Sequence, residues 1–158
     1  MSTDEKMNQV VGILTRYDVK FQTSEDHAEL RAWYGSTAVQ IRVLEGRDED
    51  QPVVHLTAPI AIGIDLDAAG RLKALEWVNG RNIDAVLLRF VLYADEDGKS
   101  GTLAAECDVL GSNLQGEELM EAAWEIAGVA DGIDESTAAD FGGQTLEAFL
   151  EEQESVET

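Results

Sequence analysis

Positive charge is scarce in this chain of 158 residues, which carries 11 lysines and arginines against 32 aspartates and glutamates. The formal net charge of −21 argues against nucleic-acid binding, because contact with phosphates needs a basic face. It argues equally against docking on an anionic membrane surface. Long apolar runs are also missing, and none approaches the roughly 20 residues that a membrane-spanning helix needs. The sequence therefore predicts neither a nucleic-acid partner nor a membrane partner.

Cysteine is nearly absent too. With Cys107 alone the chain can form no internal disulfide, which fits a reducing compartment. The first eight residues are polar and charged, so we expect no secretory signal and predict a cytoplasmic protein. The apolar fraction of 44% is enough for a core, and the length favours one domain. We place that domain at residues 1–145 and expect an acidic C-terminal helix or tail over residues 146–158.

The negative charge is concentrated in the last third of the chain. Residues 100–158 hold 15 acidic side chains and no basic one. Helices in this part have no internal ion pairs and must be held by packing of an apolar face. Such a surface has three interpretations at this stage: a solvated face, a surface that attracts a basic partner, or adaptation to a salty cytosol.

Apolar spacing predicts two helices in the first half of the chain. Ser2-Thr3-Asp4-Glu5 resembles a capping box, and a helix follows to about Arg16. Asp65 or Asp67 can cap a second helix, which we expect Asn79-Gly80 to end.

A third helix is predicted over roughly residues 116–130. Asp131-Gly132 would break it, and Gly142-Gly143 would form a second break after a further turn or two. Leu146 and Phe149 then indicate a short amphipathic helix, with fraying expected from residue 151 onwards.

Alternating apolar residues predict strands before the second helix. Leu30–Tyr34 and Val39–Val43 alternate on either side of Gly35-Ser36, a plausible hairpin turn. Val53–Ala61 follows, and Pro59 is expected to mark an edge or a bulge.

Two more strands are predicted after the second helix. Ala85–Tyr93 is apolar on both faces and predicts a central strand, and Thr102–Val109 would be its antiparallel partner. The predicted fold class is α+β, a single antiparallel sheet packed by helices in the order α-β-β-β-α-β-β-α.

Several local patterns, taken in order, resemble the YbjN family, which is grouped with the Tir-type chaperones of type III secretion. The patterns span most of residues 5–145. They are Val10, Val11 and Leu14 in the first helix, Leu56-Thr57-Ala58-Pro59, Leu75-Glu76-Trp77-Val78-Asn79-Gly80-Arg81-Asn82, Arg89-Phe90, Glu106-Cys107-Asp108-Val109-Leu110 and Phe141-Gly142-Gly143.

The resemblance implies a Tir-chaperone-like fold and a peptide-binding module that often dimerises, rather than an enzyme. It supplies no catalytic residues. YbjN-like proteins are also described as regulators of sensory transduction. The charged segment after Gly143 departs from the family pattern, which leaves open whether the C-terminus covers a groove that a partner would otherwise occupy.

A search for catalytic or metal-binding chemistry finds no candidate residues. His27 and His55 have no second ligand at a suitable spacing, so we expect structural or surface histidines and no metal. Acidic neighbours should raise the pKa of the Cys107 thiol, which is the wrong direction for a nucleophile. Asp95-Glu96-Asp97-Gly98 is expected to be a hairpin turn rather than a calcium loop, because Tyr93 and Ala104 occupy two ligand positions. We predict no cofactor and no enzymatic activity.

Aromatic side chains are the best candidates for partner contact. Trp33, Tyr34, Trp77 and Trp124 are each either ordinary core residues or parts of an exposed apolar strip that marks a partner site. By analogy with the family, the second helix is the candidate dimer element. We therefore predict self-association through Leu72, Leu75 and Val78.

Two hypotheses of function follow. The first is a cytoplasmic, dimeric chaperone or adaptor that takes an extended segment of a protein or peptide partner into an apolar groove or onto a sheet edge. The second is a regulatory protein that binds a folded partner through a flat, polar surface.

Overall fold

The computed structural model describes residues 2–46 and 51–156, which form one sheet and four α-helices. The predicted α+β class and the order of helices and strands are confirmed, with the three-residue β1 as a short edge strand. The elements are α1 (Thr3–Arg16), β1 (Phe21–Thr23), β2 (Glu29–Tyr34), β3 (Thr37–Leu44), β4 (Val53–Asp65), α2 (Ala68–Asp84), β5 (Arg89–Ala94), β6 (Ser100–Leu110), a 3-10 turn (Gly111–Asn113), α3 (Gly116–Phe141) and α4 (Leu146–Val156).

The six strands form one antiparallel sheet in the order β1-β2-β3-β4-β6-β5. Side chains alternate between its two faces, so each strand contributes to both. One face carries the core under α1, α2 and α3, and we call it the helix face. The other, which we call the open face, carries mainly polar and small side chains. The largest fully buried residues of the helix face are Leu30, Ile41, Leu56, Ile60, Ile64 and Leu103.

The first helix begins as its sequence predicts. The hydroxyl of Ser2 accepts a hydrogen bond from the amide of Glu5, and the Glu5 carboxylate accepts one from the amide of Ser2. This capping box satisfies donors that the first turn leaves free. The hydrogen bond from the Ser2 backbone lowers the pKa of Glu5. Val10 and Leu14 then pack into the core with no exposed surface.

The second helix is longer than predicted. Asp67 caps it by accepting from the amide of Gly70, but the expected end at Asn79-Gly80 is wrong, since α2 continues to Asp84. A glycine inside a helix costs only about 1 kcal/mol, and tertiary contacts override that cost. The contact here is Asn82, whose side-chain amide exchanges two hydrogen bonds with the backbone of Phe90 at the start of β5.

The expectation of a central strand at residues 85–93 is also wrong. The strand begins only at Arg89, and β5 is the outer strand of the sheet. Apolar residues on both faces suggested a strand covered on both sides, but Val86 and Leu87 belong to an exposed connection instead. The bounds of β6, the strand that pairs with β5, agree with the prediction to within two residues. Asp95–Gly98 forms the expected turn, which is closed by a hydrogen bond from the Gly98 amide to the Asp95 carbonyl.

The long helix α3 runs through the predicted break at Asp131-Gly132 and ends at Phe141. The second predicted break is confirmed, because Gly142 adopts a left-handed φ of 67° that favours glycine. The terminal helix α4 forms as expected, but it stays helical to Val156 rather than fraying from residue 151. It packs against the open face through Leu146, which is buried, and Phe149.

Two further features of the sheet agree with the sequence. A register irregularity lies between Pro59 and Ala61 in β4, at the proline that predicted a bulge. Gly35, with a φ of 64°, turns the chain between β2 and β3.

Part of the predicted charged loop, residues 47–50, lies outside the described residues. None of the described helices is long and apolar enough to cross a bilayer. The domain boundary at residue 145 stays a prediction.

Candidate functional site: an apolar groove beside an open strand edge

A groove of about 580 Å³ lies between α3 and the connection from α2 to β5. We call it the Trp124 groove. Its apolar lining is Leu87, Leu88, Cys107, Val109, Ala122, Trp124 and Ile126, and its acidic rim is Asp108, Glu118, Glu121 and Glu125. Ligand pockets fall within roughly 300–1,000 Å³, so this volume is sufficient for a short stretch of peptide side chains.

Leu87 is the most exposed large apolar residue of the groove. It is 87% exposed, and its φ of 70° lies in the left-handed region. That conformation costs a residue with a branched side chain roughly 1–2 kcal/mol relative to a right-handed one. Burial does not offset the cost in the free protein, because the side chain faces solvent. Strain of this kind collects at binding sites.

A strand edge is unpaired beside the groove. The pairing of β5 with β6 stops at Arg89 and Glu106, because the chain before Arg89 turns away from the sheet. Among the described strands, residues 107–110 of β6 therefore pair only with β4, through Leu56↔Cys107 to Val53↔Leu110. An unpaired edge presents backbone donors and acceptors that can accept a further strand.

Charge around the groove is uniformly negative on the α3 side. The helix carries eight acidic residues and no basic one. The floor of the groove is neutral, since burial, followed by the charge of Asp108, raises the pKa of the Cys107 thiol to about 11. The expected direction of the Cys107 shift is thus confirmed. The arrangement is an apolar floor with carboxylates along one rim.

The four aromatic candidates lie in different places. Trp124 is 53% exposed in the groove. Trp77 packs edge-on against Phe90 at 5.5 Å and Phe141 at 6.2 Å, so most of its ring belongs to the core. Their role in partner binding stays a prediction.

Trp33 and Tyr34 lie on opposite faces of β2. Trp33 is half-buried on the open face, opposite Ala38 in β3. Tyr34 packs against the core of the helix face. Among the described residues its hydroxyl has no hydrogen-bond partner, and burial raises its pKa to about 12. Within the described residues no ring contact joins Trp33 or Tyr34 to Trp77 or Trp124, and Trp33 lies on the opposite face of the sheet from the groove, so the four do not form one strip.

The candidate dimer residues lie on α2. Leu72 and Leu75 are exposed, whereas Val78 packs against a core cluster with Ala74 and Leu103. Ile83 extends the exposed row by two further turns and was missed by sequence reasoning, because the predicted helix stopped before it. The spacing of 72, 75 and 83 places all three on one helical face. Self-association through this face stays a prediction.

The open face carries a polar network that sequence reasoning missed. His55 Nδ1 lies 2.6 Å from Asp108, and Arg89 donates to Glu106 at 2.5 Å and to Asp108 at 2.9 Å. Tyr93 donates to the second oxygen of Glu106. These residues come from three strands, and only the register of β4, β6 and β5 brings their side chains together.

The network shifts the pKa values of two of its members. Burial alone would raise the pKa of Asp108, but the hydrogen bonds and charges of His55 and Arg89 outweigh it and lower the pKa. Burial, then the Glu106 hydrogen bond and charge, raises the pKa of Tyr93 to about 12. Within residues 2–46 and 51–156, no group of three acidic, histidine or cysteine side chains could hold a metal ion.

Comparisons with known proteins identify one family and one similar fold. The model of the family described as "T3SS (YopN, CesT) and YbjN peptide-binding chaperone 1" matches residues 4–148. The fold is similar to that in the crystal structure of YbjN from E. coli, described as a candidate transcription regulator. The TM-score is 0.60 at 10% identity, covering 85% of this chain and 92% of that one. No curated protein matches the chain in sequence.

Proposed function

The chain belongs to this family of peptide-binding chaperones, and from that premise we propose that it is a non-catalytic module that holds an extended segment of a partner polypeptide in the Trp124 groove. The observation that carries the proposal is the coincidence of an apolar groove with a free strand edge. An added strand would satisfy the edge of residues 107–110 through its backbone. Its alternate side chains would cover Leu88, Val109 and Ile126.

Charge determines which segment fits. The rim carboxylates of Glu118, Glu121 and Glu125 lie along one side of the groove. In an added strand with alternating apolar and basic residues, the apolar side chains would face the groove and the basic ones would face the open side beside Asp108, within the attractive field of the rim carboxylates. Like charges would repel an acidic segment. The preferred partner is therefore an extended, basic segment with apolar residues at every second position.

A designed peptide tests this proposal. We would titrate a peptide of alternating lysine and valine into the protein by calorimetry at low and at physiological salt. A second peptide of the same composition, with lysines and valines in separate blocks, controls for simple attraction to a chain of charge −21. The alternating peptide is expected to bind at least about tenfold more tightly, because only it can pair its backbone while burying every valine.

Matched charge variants test the rim. The triple variant Glu118→Gln, Glu121→Gln, Glu125→Gln should weaken binding of the alternating peptide by about tenfold or more. The control triple Glu25→Gln, Glu147→Gln, Glu151→Gln removes the same charge at exposed positions away from the groove. Equal loss in both triples would mean that attraction is non-specific, and the proposed site would be wrong.

We also propose that the protein acts as a homodimer through the outer face of α2. Leu72, Leu75 and Ile83 form an exposed apolar row there. Among the four helices, α2 alone has a net positive charge, with three basic residues and two acidic ones. Two copies can meet at this helix with less repulsion than at α3 or α4.

The dimer proposal is tested by mass in solution. Leu75→Asp should convert a dimer to a monomer in size-exclusion chromatography with light scattering. Leu44→Asp, at an exposed leucine of β3, is the matched control and should leave the dimer intact. A monomeric parent protein at micromolar concentration would overturn the proposal.

The groove also separates the two functional hypotheses. A segment bound in extended form fits a groove with a free edge, whereas a folded partner needs a broad complementary surface. The observations therefore favour the chaperone or adaptor over the regulator of a folded partner. A cytoplasmic location, proposed from the single cysteine, fits a buried thiol that no described cysteine can pair.

A further inference from the structure

A second cavity, of about 350 Å³, lies on the open face of the sheet and is independent of the Trp124 groove. We call it the Arg31 trough. Strands β2, β3, β4 and β6 form its floor, and α4 forms one wall. Its volume lies near the lower end of the range for small-molecule pockets, roughly 300–1,000 Å³.

The register of the sheet explains the shape of the trough. Ala38 and Ala104 are floor residues with short side chains, and Pro59 lies directly opposite Ala104. Small side chains in the middle of the face leave a depression between longer neighbours. Leu146 and Phe149 of α4 close one end, so that end is apolar.

The other end of the trough is cationic. Arg31 and Arg42 line it, and none of the described carboxylates does. Arg42 forms an ion pair with Glu29, in which 2.6 Å separates a guanidinium nitrogen from a carboxylate oxygen. In the part of the chain that the structure describes, Arg31 has neither an ion pair nor a side-chain hydrogen bond. A half-buried guanidinium without a partner is unusual in a chain with 32 acidic residues.

We propose that the Arg31 trough binds a small amphipathic monocarboxylate. The carboxylate would take two parallel hydrogen bonds from the Arg31 guanidinium, which has the fork geometry for that contact. The hydrocarbon part would lie over Pro59 and Ile62 against Phe149. One uncommitted guanidinium matches one negative charge, so a polyanion has no further cation to contact. A cationic ligand would find no carboxylate in the lining.

Octanoate is the probe, with octan-1-ol and octylamine as neutral and cationic counterparts of the same chain length. Binding would be followed by calorimetry and by the change in tryptophan fluorescence, to which Trp33 contributes from the same face. Octanoate should bind saturably and about tenfold more tightly than octan-1-ol, because the charge-assisted contact is lost with the alcohol.

Substitutions inside and outside the Arg31 trough test where octanoate binds. Arg31→Gln should weaken octanoate binding by about tenfold or more and leave octan-1-ol unchanged. Arg16→Gln removes the same charge at an exposed position of α1 and should have no effect. Ala104→Leu fills the trough without changing charge and should abolish binding of both probes. Circular dichroism would show that each variant folds.

The outcomes of the octanoate experiments can be distinguished from those of the peptide experiments that test the proposed function. Leu87→Ser in the Trp124 groove should leave octanoate affinity unchanged. Equal affinity for octanoate and octan-1-ol, no effect of Arg31→Gln, or no saturable octanoate binding would each overturn the Arg31 trough proposal. None of these results would bear on peptide binding by the groove.

Discussion

The substitution Leu87→Asn should stabilise the protein and weaken partner binding at the same time. Leu87 holds a φ of 70° while 87% of its surface faces solvent. A residue of this kind loses only about a few tenths of a kcal/mol of burial when it is replaced. Asparagine adopts the left-handed region more readily than leucine. It should therefore recover part of the roughly 1–2 kcal/mol that the conformation costs.

The expected net gain is about 1 kcal/mol in the free energy of unfolding. With a slope near 2 kcal/mol per molar urea, the midpoint of urea unfolding should rise by about 0.5 M. Tryptophan fluorescence and circular dichroism would follow the transition. Binding of the alternating lysine–valine peptide should fall in the same variant, because Leu87 lines the Trp124 groove.

The neighbouring residue provides the control. Val86 is 74% exposed, has no positive φ and does not line the groove. Val86→Asn should bring no comparable gain in stability and leave peptide affinity intact. If Leu87→Asn were no more stable than Val86→Asn, the strain argument would fail. If it were more stable but bound peptide normally, Leu87 would have no part in the site.

Three further predictions concern the sheet. Tyr34→Phe should stabilise the protein by about 1 kcal/mol in urea unfolding, since it removes a buried hydroxyl that has no partner among the described residues. The lowered pKa of Asp108 contributes stability that is present above the ordinary aspartate value of 3.8 and is lost as the pH falls through the folded value. Asp108→Asn should therefore flatten the acid limb of the pH–stability curve, and an unchanged limb would contradict the described network. Cys107 should react with a thiol reagent at pH 8 about 100-fold more slowly in the folded state than in urea, because its pKa rises from 9.0 to about 11. Equal rates would show an accessible thiolate.

Local patterns determined most of the fold. The capping box at Ser2, the cap at Asp67 and the alternation of β2 and β3 each depend on residues close in sequence, so the sequence predicted them. The errors came where distant contacts decided the outcome. Gly80 ended the predicted helix, but Asn82 carries α2 onward by bonding to Phe90.

The candidate sites were less predictable because they depend on register and strand order. Because β5 begins only at Arg89, it leaves residues 107–110 of β6 unpaired on that side, and nothing in the local pattern of 85–93 indicates this late start. Trp124 was selected as an aromatic residue, and the structure places it 53% exposed in the groove. The alternation of β2 places Arg31 on the face opposite Leu30 and Ala32, but no local pattern indicates what its side chain contacts. Its lack of a partner among the described residues depends on Glu29, two residues earlier in β2, which bonds to its direct register partner Arg42 in β3.

Hydrogen exchange along β6 would show directly whether a bound segment adds a strand at residues 107–110. In the free protein, the amides of residues 107–110 that point away from β4 should exchange quickly, because none of the described strands pairs with that edge. Bound alternating lysine–valine peptide should slow those amides, while the amides of β2 and β3 remain unchanged. Saturating peptide that leaves residues 107–110 exchanging as fast as before would contradict strand addition at the Trp124 groove.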